Sequence, residues 1–555
     1  MKKFYVLILI VLAFTSCKSQ SINSNTIQPS HTEITENKPK LIVGIVVDQM
    51  RYDYLTRFET KFGEGGFKRM MRQGFNCKNN HFNYVPTYTG PGHASVFSGT
   101  TPKYHGVISN NWYDKETNEI VYCAGDDTVN SVGTESAAGQ MSPHRMLVTT
   151  FCDENRLFTQ LKGKTIGISL KDRGAILPAG HTANAAYWFH GVDEGAWISS
   201  TFYMNELPEW VKAFNISEKA ESYLKVWNTL YDISTYSESG ADENRFEGGF
   251  QGKEKAVFPY DLAELSKDNR GFDILKATPF GNSLTVDFSM EAIKAENLGQ
   301  DDFTDVLTVS FSATDYVGHN FGVNSKEVQD TYIRLDKDLE RFFNFLDETV
   351  GEGSYTVFLT SDHGAVNVPS YLNSVNIPSG YVDNNLRKEK FQEFLISIYG
   401  TTEIVENISN NQIFINKEKV EELGLNIREV QEAIANEQIK YKNIAKVYTA
   451  ATMNSANFSQ GIEALLQNGY NQKRSGDVIL VDDVAYISYG ITGSTHGSAL
   501  NYDTHVPLLF FGNGIKHGET YEKTVIPDIA PTISALLGIS FPNSNTGKPL
   551  GFIID

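Results

Sequence analysis

Leu41-Ile-Val-Gly-Ile-Val-Val47, followed at once by Asp48, is the stretch that decides the fold. It is apolar without a break and rich in β-branched residues. That is the pattern of a strand buried on both faces of a parallel sheet, not of a half-exposed strand. Working outward, Lys164-Thr-Ile-Gly-Ile-Ser-Leu170, Asp305-Val-Leu-Thr-Val-Ser-Phe311 and Tyr355-Thr-Val-Phe-Leu-Thr360 repeat it. Helical patterns at Asn155 to Leu161, Asn282 to Asn297 and Asn324 to Thr349 fall among them, and Asp528 to Leu537 follows a strand at Val506 to Phe511. Strands alternating with helices predict an α/β fold, a largely parallel central sheet flanked by helices on both faces.

Two stretches break the alternation, at about 180–280 and 386–488. Both read as inserted cap or subdomain segments. Ala185 to Tyr203, with its aromatics, reads as strands of the first insertion. Gln412 to Asn416, Arg428 to Gln438 and Val478 to Tyr486 read as a small α+β unit in the second.

The amino terminus reads as a targeting segment. Lys2 and Lys3 precede an apolar run from Phe4 to Phe14, too short to span a membrane, and Phe14-Thr-Ser-Cys17 ends it in small residues and a cysteine. Residues 1–17 are therefore a lipoprotein-type signal with Cys17 as the lipidated residue; cleavage nearby to release a soluble protein is the alternative. Residues 18–39 read as a polar tether, leaving 40–555 as the folded domain. The mature chain is expected outside the cytoplasm, periplasmic or anchored to the outer membrane. Of the remaining cysteines, Cys77 and Cys123 lie among polar residues and are the expected disulfide pair, and Cys152 is expected to be buried.

The chain has 555 residues, 41% hydrophobic and 12% aromatic, enough for a large packed core. Its formal net charge of -19 argues against nucleic acid as a partner.

The chemistry gathers where the strands end, which is where ligands collect in α/β sheets. Asp48 ends the first strand, and Lys171-Asp-Arg173 follows the second. Asp315 and His319, four apart, follow the third; Asp362-His363 follows the fourth; His496 sits in Gly493-Ser-Thr-His-Gly497. Three histidines and three aspartates suit two zinc ions. The remaining element is Val85-Pro-Thr-Tyr-Thr-Gly-Pro-Gly-His-Ala-Ser95, a tight turn into a helix. Pro91 is expected at the first helical position, and Gly90 and Gly92 are expected to let backbone approach a ligand. Thr89 then lies at a helix N-terminus, a natural place for an anion such as phosphate.

Asp48 after the first strand, Thr89 in Pro-Thr-Tyr-Thr-Gly-Pro-Gly-His, Asp-Tyr-Val-Gly-His, Ser-Asp-His-Gly and Ser-Thr-His-Gly follow the order seen in the alkaline phosphatase superfamily, which the chain resembles from about residue 40 onward. Thr89 and Asn110 resemble its nucleotide pyrophosphatase/phosphodiesterase side. Lys171 and Arg173 resemble the flavobacterial phosphate-irrepressible alkaline phosphatases, which are monoesterases. The resemblance implies a zinc-dependent phosphate monoester hydrolase with Thr89 as nucleophile and a phospho-threonine intermediate. It assigns one zinc to Asp315, His319 and His496 and the other to Asp48, Asp362, His363 and the Thr89 oxygen. It assigns the phosphoryl oxygens to Asn110, Lys171 and Arg173. Lys171 would stand where the best-known bacterial enzymes place magnesium, so no Mg²⁺ is required. The substrates implied are small phosphate monoesters. A phosphodiesterase with the same metals is the alternative. A sulfatase is excluded, because Thr89-Gly-Pro-Gly-His93 has neither the modifiable Cys or Ser nor the Arg of that motif.

Overall fold

The computed structural model describes residues 38–192 and 194–554. The signal segment with Cys17, and the tether as far as Asn37, lie outside the described residues. Lys38 and Pro39 belong to the fold and not to the tether: Lys38 Nζ donates to Leu537 O at 2.7 Å, and Pro39 O accepts from Thr304 Oγ1 at 2.7 Å. From Lys38 onward the chain forms one compact unit. No helix among the described residues is long and apolar enough to cross a membrane.

Ten strands form the central sheet: β1 (Leu41–Val47), β2 (Phe75–Cys77), β3 (Ser131–Val132), β4 (Thr165–Ser169), β5 (Ala185–His190), β6 (Ala196–Ser200), β7 (Asp305–Phe311), β8 (Tyr355–Thr360), β9 (Leu508–Gly512) and β10 (Gly518–Thr520). Their order is β10-β2-β9-β8-β1-β7-β4-β5-β6-β3. The middle five, β8-β1-β7-β4-β5, are parallel. Antiparallel pairs at β9 and β6 turn the sheet towards its edges. β1 is buried along its whole length, as an all-apolar strand between two helical layers must be. Its register aligns Val47 with Phe311 and Val46 with Thr360, so Asp48, Ser312 and Ser361 leave the sheet at one edge.

Helices cover both faces. Those that matter below are α1 (Thr89–Ser98), α2 (Phe151–Phe158), α3 (Asp172–Ala179), α4 (Pro279–Glu296), α5 (Ala313–Phe321), α6 (Lys326–Leu346) and α7 (Ile529–Leu537). One apolar cluster joins β1 to α4 and α6; another joins the opposite face to α1, α2 and α7.

Three expectations are corrected. Ala185 to Ser200 is not part of an insertion: β5 and β6 belong to the central sheet. Their alternation arises because Tyr187, Phe189 and Trp197 feed one cluster and Ala186, Trp188 and Ile198 another, so both sides are buried. Cys77 and Cys123 are not paired; with Cys152 they are buried free thiols. Cys77 packs with Val96 and Ile526, whereas Cys123 packs in a separate cluster with Trp112 and Ile176. Local polarity in sequence did not report that burial. Pro91 is the third residue of α1, which begins at Thr89. Proline is tolerated there because first-turn N–H groups have no partner within the helix.

The second irregular stretch does form a small α+β unit. Strands Val405–Ser409, Gln412–Ile415, Val478–Asp482 and Ile444–Thr449 make a four-stranded antiparallel sheet in that order. Helices Asn384–Tyr399 and Ile427–Gln438 pack on it around Phe391, Ile413, Val430 and Ile434.

Candidate active site

The strand ends bring three carboxylates together in a buried cluster: Asp48 and Asp362 are fully buried and Asp315 is 3% exposed. The ammonium set among them is that of Lys171, the residue before α3, at 2.5 Å from both Asp48 Oδ2 and Asp315 Oδ2. One cation against three acids leaves the cluster short of positive charge. Burial, then Asp315, pushes the Asp48 carboxyl above its ordinary range, and burial, then Asp48, does the same to Asp362 more strongly. Asp315 is also buried, but His319 and Lys171 outweigh that and hold it well below the ordinary range.

The three histidines share one device. His319 Nδ1 donates to Ser494 O at 2.7 Å, His496 Nδ1 to Thr87 O at 2.7 Å, and His363 Nδ1 to Gly364 O at 3.0 Å. A carbonyl only accepts, so each Nδ1 carries a proton; in a neutral ring Nε2 then offers its lone pair, whereas Asp315, against the effect of burial, raises the His319 ring above its usual value. Those Nε2 atoms point into the acids: His319 lies 3.2 Å from Asp315 Oδ1, His496 3.7 Å from the same oxygen, and His363 3.4 Å from Asp48 Oδ1. Burial pushes His496 down to about 3 and His363 well below its usual value. Both are therefore neutral, the form that binds metal.

Ligand atoms of Asp315, His363 and His496 lie within 4.8 Å of one another, as do those of Asp48, Asp362 and His363. The second group comprises the three side chains expected there, without the Thr89 oxygen. In the first, His363 takes the place given to His319, and the two groups share that ring. The His363 and His496 rings stack at 3.4 Å between centroids. Asp48 Oδ1, Asp362 Oδ2 and His363 Nε2 are buried with no hydrogen-bond partner among the described residues. Buried polar atoms rarely stay unpaired, so this donor set fits divalent cations.

Thr89 opens α1 beside the cluster and is 1% exposed. Its carbonyl accepts from His93 Nδ1 at 2.9 Å, and that nitrogen is 3.4 Å from Asp362 Oδ2. The two glycines after it make close protein contacts. A Cβ on Gly92 would stand 2.4 Å from Asp362 O, and one on Gly90 would stand 3.2 Å from Asn110 Oδ1. Gly90 N donates to Asn110 Oδ1 at 2.8 Å, which leaves the Asn110 amide nitrogen free to donate. Thr87, the neighbouring hydroxyl, is committed to Ser498 O at 2.9 Å. Arg173 is held by Tyr122: its Nη1 donates to the phenol oxygen at 3.0 Å, and that hydroxyl donates to Asp172.

Four residues escaped the sequence reading. Gln49 adopts φ 62° and spans two acids, donating from Nε2 to Asp315 Oδ1 at 2.7 Å and from its backbone N–H to Asp362 Oδ1 at 3.1 Å. A side chain at position 318 would displace it, since a Cβ there would lie 1.9 Å from Gln49 Oε1. His93 lies four residues after Thr89, a spacing that could have pointed to it. Tyr122 orients Arg173. Asp503 Oδ2 accepts from Gly497 N at 3.1 Å and Ser498 N at 2.7 Å, fixing the His496 loop. A cavity of about 920 Å³ separates that loop from the α+β unit, lined by Tyr88, His496 and Asp503 on one side and Phe391 and Ile413 on the other.

Comparison with known proteins places the chain in a family. The type I phosphodiesterase/nucleotide pyrophosphatase family matches residues 42–505. A Myroides odoratus protein named calcium-transporting ATPase is 44% identical over 92% of this chain and 94% of its own. Alkaline phosphatase PhoV of Synechococcus elongatus is 42% identical over 98% of both chains. The crystal structure of wild-type alkaline phosphatase PafA superposes with a TM-score of 0.90 at 43% identity, over 93% of this chain and 99% of that one. The chain belongs to the type I phosphodiesterase/nucleotide pyrophosphatase family, within the alkaline phosphatase superfamily.

Proposed function

We propose that the chain is a phosphoric monoester hydrolase of the alkaline phosphatase type, acting through a phospho-threonine at Thr89. The observation that carries this reading is the pair of overlapping carboxylate–imidazole groups packed against the N-terminus of α1. The names of PhoV and PafA support it. Asp315 and His496 would hold one zinc together with His319, whose Nε2 lies 3.2 Å from Asp315 Oδ1, and Asp48, Asp362 and the shared His363 the other, with the Thr89 oxygen. Two such ions favour the ionised threonine hydroxyl and offset charge on the entering and leaving oxygens.

The chain's own groups do the rest. Thr89 Oγ attacks phosphorus in line, the bond to the ester oxygen breaks, and the alcohol departs with a proton. Water then attacks the phospho-threonine, freeing phosphate and returning a proton to Thr89. Asn110, Lys171 and Arg173 bind the equatorial oxygens, Arg173 with its two-pronged guanidinium. Lys171 between Asp48 and Asp315 supplies a fixed cation, and we expect no Mg²⁺ requirement. Two cations suit a dianionic monoester better than a monoanionic diester. The family's description favours diester hydrolysis as a second reading. Small phosphate monoesters are the substrates, nucleic acid is not a partner, and the chain is exported, either periplasmic or anchored to the outer membrane through Cys17.

The test is Thr89→Ala. Acid-quenched wild-type enzyme should carry covalent phosphate, and the variant should carry none, turn over no p-nitrophenyl phosphate and keep its metal. Chelation should silence the wild type, and Zn²⁺ alone should restore it. Turnover by Thr89→Ala, or restoration only with Mg²⁺, refutes the respective part.

A further inference from the structure

The opposite end of the sheet carries a surface that the chemistry does not use. Leu157 and Phe158, in the last turn of α2, are 55% and 58% exposed, and Leu161 just beyond is 56% exposed. An isolated apolar residue on a surface is ordinary, but a contiguous group marks a contact site. The turn that displays them is strained: Gln160 and Leu161 adopt φ 52° and 65°, the left-handed region. Buried Arg156 enforces it, with Nη1 donating to Leu161 O at 2.6 Å and to Gly163 O at 2.7 Å, and Nε donating to Thr182 O at 3.0 Å. Strain of this kind persists only where the surroundings over-determine it. Here it keeps Leu161 pointing outward.

This group lies on the rim formed by the amino ends of the parallel strands. Asp305 N donates to Lys40 O, Val306 N to Lys164 O, and Asn155 Nδ2 to Thr304 O. Those bonds place the starts of β1, β4 and β7 beside the end of α2. Lys38 Nζ lies 5.3 Å over the Phe158 ring and Lys162 Nζ 4.9 Å over that of Phe303. Of the lysines at these strand starts, Lys40 and Lys162 are exposed, whereas the Lys164 ammonium donates to Glu296 O and that of Lys38 to Leu537 O. Apolar tips fringed by lysines and aromatics suit the boundary between lipid headgroups and acyl chains.

We propose that this rim rests on a lipid bilayer; the proposal depends on the lipoprotein reading of Cys17. The chain enters the described fold at Lys38, beside Phe158. From Cys17 to Lys38 it reaches at most about 70 Å, so an anchor alone admits any orientation. The rim selects one. β1 then separates bilayer from active site by about 23 Å, and the mouth of the site faces away from the membrane.

The experiment uses the full chain, with Cys17 acylation verified by intact mass, in vesicles of phosphatidylethanolamine and phosphatidylglycerol with or without brominated acyl chains. Phe158→Trp and Leu161→Trp should lose the added tryptophan emission in the brominated vesicles. Ile398→Trp, at a position 59% exposed on the α+β unit, should keep it. A vesicle-bound, acylated Phe158→Trp chain whose added emission is unquenched overturns the docking and leaves the anchor intact. A chain without acyl mass that stays in solution overturns the lipoprotein reading and the docking with it. Self-association through this face without vesicles, abolished by Phe158→Asp, assigns the rim to a second copy and also overturns the proposal.

Discussion

Replacing Gln49 by alanine removes the neutral side chain that braces Asp315. The Nε2···Oδ1 hydrogen bond is 2.7 Å long, buried, and made to a carboxylate. Such bonds contribute about 1.5–3 kcal/mol, which is roughly 10- to 150-fold in an equilibrium constant. Independently, loss of a group that orients a metal ligand typically costs about 10–100-fold in affinity or activity. The two ranges agree, so Gln49→Ala should weaken metal binding by about one to two orders of magnitude. Alanine keeps the backbone N–H on Asp362 and tolerates φ 62° no worse than glutamine, so the fold should persist. Chelator competition gives the affinity, p-nitrophenyl phosphate turnover in excess zinc gives the rate, and melting of the metal-free chain reports the fold. Gln49→Glu, which sets a second charge against Asp315, should do worse. A Gln49→Ala enzyme with wild-type metal affinity and turnover refutes the bracing role.

Gly92→Ala should disable the site more severely than its size suggests, because the new methyl would press on Asp362 O at 2.4 Å; activity and metal content should fall together. Lys171→Ala combined with Arg173→Ala should collapse the ratio of monoester to diester kcat/KM, and full retention of monoester preference would remove both residues from the phosphoryl site. Asp153 gives a pH test away from the chemistry. Although burial opposes it, the His181 ring, 3.6 Å away, and then the backbone N–H groups of Thr150 and Thr182 hold it below the ordinary aspartate value. Its contribution is therefore present above about pH 3.9 and lost as pH falls through the lowered value. Asp153→Asn should flatten the acid limb of the stability curve, and an unchanged limb would count against this.

The middle of the fold was legible because β1, β7 and β8 are buried on both faces and their composition says so directly. β5 and β6 were misplaced for a related reason: alternation usually signals one wet face, but here it sorts aromatics between two cores. Asp48, Asp315, His319, Asp362, His363 and His496 stood out because their side chains match a known coordination chemistry and follow strand ends. Gln49 and Tyr122 had no such signal, since each acts through another side chain across a long sequence gap. The sharing of His363 between two groups could not be read from order along the chain, which says nothing of distance.

The carbonyls that hold the three imidazoles bear on how the protein is made. His496 is clamped by Thr87, 409 residues away, and His319 by Ser494, 175 residues away. The group of Asp315, His363 and His496 reaches to His496, so a nascent chain cannot form it until nearly all of it has been synthesised and collapsed, whereas the group of Asp48, Asp362 and His363 needs the chain only as far as Gly364. On the proposal that the chain is exported, the ion of that late group would come from the compartment in which folding finishes.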